Sequence, residues 1–143
     1  MQLLIFTLFL TAALRTFGVT STEIVAATLC AEARGEGARG MRAVLEVIDR
    51  RAVDRHLTAA QVCLQRKQFS CWNGDRREMF RRMKACPEFA SALRMSREAS
   101  ARKRPQLTKG ATHYCAIASR PEWSIGLRPV VIIGNHKFYR LDA

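Results

Sequence analysis

The chain changes its apolar pattern once, at Pro105, and this switch restricts the folds open to it. Up to that point the apolar residues fall on helical stripes. Beyond it, "ATHYCAI" (111–117) and "VVIIGNHKFYR" (130–140) are dense in aromatic and β-branched residues, and Gly134-Asn135 between two such runs predicts a hairpin turn. Segregation of this kind predicts an α+β fold, mostly helical and closed by a small C-terminal antiparallel β-sheet. The 143 residues hold no internal repeat and no Pro/Gly linker after residue 21, so a single domain over 22–143 is expected.

The helical part carries its own punctuation. Thr20 or Ser21 can cap the first helix, with Glu23 completing a capping box, and Gly35 is the natural terminator. Val25, Thr28, Leu29 and Glu32 then share one face. A second helix fits 40–53 on a stripe of Met41, Val44, Leu45 and Ile48, and shorter helices fit 58–65, 75–84 and roughly 87–102.

Residues 1–21 are read as a signal peptide or membrane anchor. "MQLLIFTLFLTAAL" is too short for a comfortable span and has the length of a signal-peptide core, followed by small residues at Ala12, Ala13, Gly18 and Ser21. No Lys or Arg precedes this run and Arg15 follows it, so a buried first helix is the alternative. Export to the periplasm, cell wall or medium is the expected localisation, and a phage lysin fits equally well.

Twenty-four Lys and Arg against twelve Asp and Glu give a net charge of +12, which predicts attraction to a polyanion without naming it. Of the five cysteines, Cys63 and Cys71 flank a short segment and are the expected disulfide pair in an exported chain; in a cytosolic one they would be buried thiols. There is no CxxC, and His56, His113 and His136 form no HxH or HxxxH, so neither a metal nor any cofactor is expected.

The stretch "CAEARGEGARG" (30–40) places Glu32 in the last turn of the first helix and Glu36 just beyond it. The negative end of the helix dipole and partial burial both raise the proton affinity of Glu32, as a general acid requires, while Arg34 opposes them. Glu36 is expected to be exposed, ionised and paired with Arg34 or Arg39. Two carboxylates suggest glycoside hydrolysis, but glutamates four apart on one helix would lie on the same side of a sugar. One catalytic acid assisted by the substrate or a distant polar group is the better geometry.

"AEARGE" (31–36), Gly40 with "AVLEVIDRR", "QFSCWN" (68–73), "GATHYCA" (110–116), "PEWS" (121–124) and "IGNHKFY" (133–139) follow one another in register over about residues 22–140. In this order they resemble the cell-wall hydrolase family that includes the bacterial spore cortex-lytic enzymes. The resemblance implies a domain similar to lysozyme-like lytic transglycosylases, cutting peptidoglycan between N-acetylmuramic acid and N-acetylglucosamine with Glu32 as the general acid. It also implies a substrate groove, to which Gln68, Phe69, Trp72, His113, Tyr114, Glu36 and His136 are candidates, although a core or structural role fits several of them as well. The family's Asn-Arg at the end of its second helix is Asp49-Arg50 here. Peptidoglycan is the expected partner of a monomer, with the basic surface meeting anionic wall or membrane and no role for nucleic acid.

Three other activities fit the residues less completely. A muramidase would cut the same bond with water. A peptidase would pair Cys71 with His113 or His136, and a non-catalytic basic module would bind through its arginines alone.

Overall fold

The computed structural model describes residues 18–98 and 106–141; the expected leader at 1–21 lies almost wholly outside them. Among these described residues five α-helices precede three strands: α1 (Ser21–Ala33), α2 (Gly37–Arg55), α3 (Ala59–Leu64), α4 (Arg76–Lys84), α5 (Phe89–Arg97), β1 (His113–Ala116), β2 (Val131–Ile133) and β3 (His136–Tyr139). The fold is α+β, with its small antiparallel sheet at the C-terminal end, as the switch at Pro105 predicts. No described helix is long and apolar enough to cross a membrane.

Helix α1 starts on the capping box, where Thr20 Oγ1 accepts the Glu23 amide at 3.2 Å and the Glu23 carboxylate accepts the Thr20 amide at 2.9 Å. The expected single apolar face is too modest: every residue from Ile24 to Cys30 is buried. The helix is central, packed against α2, α3, α4 and α5, and apolar positions all round are what such a location demands. Its one polar core residue, Thr28, stays satisfied by donating to Ile24 O at 2.8 Å and accepting the Trp72 indole at 3.0 Å.

The end of α1 differs from the expectation. Gly35 does not terminate it; the helix stops at Ala33, and Arg34–Glu36 form a 3-10 turn that runs directly into α2. Gly37, with φ of 67°, makes the reversal that a side chain would resist. Helix α2 is also longer than expected, and it serves two cores at once. Met41, Val44, Leu45, Ile48 and Ala52 face the helical core, whereas Ala43 and Val47 join Ala111, Ile133 and Phe138 in a second core under the sheet.

The strand order is β1-β3-β2, with Tyr114 opposite Phe138 and Val131 opposite Phe138 on the other side. Side-chain alternation sends Tyr114, Phe138 and His136 to one face and His113, Lys137 and Tyr139 to the other. Phe138 and Tyr139 are both buried, on opposite faces of the strand. Phe138 lies in the core under the sheet, while Tyr139 is covered on the outer face by Trp123, ring edge to face at 5.3 Å. Glu46 ties the two parts together, its carboxylate accepting the amides of Leu107 and Thr108 at 3.0 and 2.8 Å.

Candidate active site

The last turn of α1, the first strand and the second helix converge on Glu32. Its Oε2 accepts a hydrogen bond from the Tyr114 hydroxyl at 2.8 Å. The Tyr114 ring packs against both cores, and stacks on Phe138 with 5.6 Å between centroids, so the donor has little freedom to turn away. His136 lies edge to face against the same ring at 5.3 Å.

Burial raises the Glu32 pKa, and three weaker influences lower it: the Tyr114 hydrogen bond, then the electrostatic effect of the neighbouring His136 and Arg51 side chains. The net result is a carboxyl that holds its proton more tightly than usual. Arg34 does not counter this as expected; its Nη1 donates instead to Met83 Sδ at 3.5 Å and Cys86 Sγ at 3.4 Å. Tyr114 in turn is driven well above the ordinary phenol range by burial and by the Glu32 charge, and remains a donor at any physiological pH.

Glu36 leaves the site. Its Oε2 accepts the Asn135 amide at 2.7 Å, fastening the hairpin turn to the start of α2, in place of the expected ion pair with Arg34 or Arg39. The approach is so close that a Cβ at Gly40 would overlap Glu36 Cβ, and a Cβ at Gly134 would overlap the Glu36 carboxylate. Gly40 is therefore required by the base of this side chain, whereas a side chain at Gly134 would displace its carboxylate from the turn.

Other expected site residues separate into two groups. Gln68 stays with the site through its Oε1, which accepts from Arg51 at 3.3 Å and Arg55 at 2.9 Å. Phe69 and Trp72 are only 2% and 4% exposed, so neither ring has a face to offer a sugar. Trp72 is pinned in the core by its indole bond to Thr28, and Phe69 lies beneath the Arg51 guanidinium at 5.7 Å. His113, on the outer face of the sheet, bonds Thr112 Oγ1 at 3.0 Å and packs on Trp123. Burial and the charges of Arg51 and Arg55 lower its pKa.

Cys63 and Cys71 carry free thiols rather than the expected bridge. Burial pushes both up to about 12, Cys71 also through the charge of Glu32, which is the opposite of the depressed pKa a thiolate nucleophile needs. Among the described residues, no cluster of three His, Cys, Asp or Glu side chains could hold a metal ion.

Arg51 is the site residue that the sequence reading missed. It is 9% exposed, donates from Nε to Thr112 O at 2.8 Å, and links α2, the Gln68 loop and the approach to β1. The signal was present: position 51 continues the apolar stripe through Val44 and Ile48, and an arginine there must enter the core with its partners.

This geometry meets an independent finding. Residues 35–139 match the family model described as Cell Wall Hydrolase, nearly three-quarters of the chain. The chain belongs to the cell wall hydrolase family. Peptidoglycan is therefore its substrate class, and the blocks that follow Glu36 in sequence lie within the matched region. Glu32 stands three residues ahead of the match, so its role rests on the geometry around it. No curated protein and no solved structure matches this chain.

Proposed function

We propose that this cell wall hydrolase cleaves the glycan strand of peptidoglycan between N-acetylmuramic acid and N-acetylglucosamine, as a lytic transglycosylase on a lysozyme-like scaffold, with Glu32 as acid and then base. The observation that carries this reading is the partly buried Glu32 carboxyl, with a raised pKa and one oxygen held by Tyr114. The engaged oxygen fixes the carboxyl plane, and the second oxygen keeps the proton available for transfer.

In the reaction the Glu32 proton passes to the glycosidic oxygen as the bond to the muramyl anomeric carbon breaks. The muramyl 6-hydroxyl oxygen then bonds to that carbon and gives its proton to the Glu32 carboxylate, which restores the acid and leaves an anhydro ring. No second carboxylate is needed, consistent with Glu36 being committed to the hairpin amide. Tyr114 orients the acid, and His136 and the Arg51–Gln68 pair are the polar groups around it. Export, or action from a membrane-attached form, would bring the enzyme to its substrate.

The test is incubation of purified peptidoglycan with the protein and with Glu32→Gln, followed by mass analysis of the released fragments. Anhydro-muramyl ends that vanish in the variant are expected. Ends heavier by one water would make the enzyme a muramidase, and intact glycan with cut stems would make it a peptidase.

A further inference from the structure

A groove of about 450 Å³ lies beside the site, between the end of α1, the Ser70–Trp72 turn and α4. Ala31, the residue before Glu32, lines it, and so does Cys71, which feels the Glu32 charge. Glu32 itself does not line the groove, which borders the last turn of α1 that carries it.

Its charge is the informative property. Two carboxylates line it, and both are engaged: Asp75 Oδ1 accepts the amides of Arg77 and Glu78 as the cap of α4, and Glu78 is gripped by Arg81 through contacts of 2.8 to 3.0 Å. Two guanidiniums also line it, and neither meets a carboxylate among the described residues. Among the described residues Arg34 donates only to the sulfurs of Met83 and Cys86, and the exposed Arg82 side chain makes no hydrogen bond or ion pair. The formal charges of the lining balance, but its carboxylates are taken up by the cap of α4 and by Arg81, which leaves the two guanidiniums as the donors facing the groove without a carboxylate partner; Met79 and Met83 add adaptable apolar walls.

The geometry points to a recognition site for the peptide stem of peptidoglycan: Arg34 and Arg82 receive carboxylates of the stem attached to the muramyl lactyl group while the sugar bond lies at Glu32. A guanidinium is suited to this because its planar donors match a carboxylate in pairs. The assignment rests on the glycan-cleaving reading above. It gives the enzyme a preference for substituted strands over naked ones, independent of the acid itself.

The experiment compares intact glycan strands with the same strands stripped of stems by an amidase, using the wild-type protein, Arg82→Gln, the Arg34→Gln/Arg82→Gln double variant and Glu32→Gln. The wild type is expected to show a lower KM on stem-bearing strands. The double variant should lose roughly fivefold of that preference, as two partly exposed charge pairs allow, with kcat little changed and Arg82→Gln in between. A preference identical to the wild type, or equal losses on both substrates, overturns the assignment. If Glu32→Gln still cuts glycan, the cleavage reading falls; if that variant is dead while the double variant keeps the full preference, only the stem site falls.

Discussion

Tyr114 Oη and Glu32 Oε2 stand 2.8 Å apart, joining the first strand of the sheet to the last turn of the central helix across eighty-two positions of sequence. The contact lowers the Glu32 pKa against the larger effect of burial, so the acid is tuned by two opposed influences. Tyr114→Phe removes the lowering influence and keeps the ring. The alkaline limb of the pH-activity profile should move to higher pH, since the acid holds its proton longer, while kcat falls because the carboxyl plane is no longer fixed. Loss of the bond should cost about 1 kcal/mol of stability. Initial rates across pH on purified wall, with chemical unfolding alongside, check both.

Glu32→Gln should abolish glycan cleavage and raise the melting temperature at neutral pH. The folded-state pKa of Glu32 is raised, so the folded protein binds this proton more tightly than the unfolded chain does. The stability it contributes is fully present below the unfolded value of about 4.5 and is lost as pH rises through the folded value. The melting-temperature gap between variant and wild type should therefore open as pH rises from 4 to 8 (roughly the window this linkage sets). A gap that closes instead would contradict the burial of this carboxyl.

The Glu36 latch predicts non-additive mutations. Gly134→Ala meets both a φ of 54° and the Glu36 carboxylate, and should cost on the order of 2–4 kcal/mol. In a Glu36→Ala background the overlap disappears and only the conformational cost, about 1 kcal/mol, remains. A double-mutant cycle by urea unfolding measures this coupling. Equal costs in both backgrounds would show that Glu36 does not rest on the turn.

Arg51→Met should destabilise the protein by about 2–3 kcal/mol, because Thr112 O and Gln68 Oε1 lose a charged donor inside the structure. It should also raise the Glu32 pKa further, since the Arg51 charge favours the carboxylate. The alkaline limb of activity then moves up, as for Tyr114→Phe, and the same rate profiles detect it.

Cys71 should react with iodoacetamide at neutral pH more slowly than an unstructured cysteine peptide, because its thiol is pushed up to about 12. Peptide mapping after timed alkylation gives the rate. Fast labelling would revive the thiol as a nucleophile and with it the peptidase alternative.

The sequence made the architecture legible because helix and strand patterns are segregated at Pro105, and local signals such as the Thr20–Glu23 box and the Gly134-Asn135 turn mark the ends of elements. The raised proton affinity of Glu32 could be argued from its place at the end of a helix with an apolar face. Its partner could not, because Tyr114 reaches it only through tertiary packing. The same limit misplaced Phe69 and Trp72, since an aromatic near a polar block looks alike whether it fills a core or lines a groove. Glu36 was misread for a related reason: its ligand is a backbone amide ninety-nine residues away, which no spacing rule anticipates.

That amide has a mechanical meaning. With the hairpin tip clamped to the N-terminal end of α2, the sheet side of the catalytic centre behaves as a fixed jaw, and it cannot swing aside without breaking a charged hydrogen bond and unseating two glycines. In the glycan-cleaving reading proposed above, a strand lying at Glu32 would therefore rest against a side of the site that is held in place by the hairpin itself.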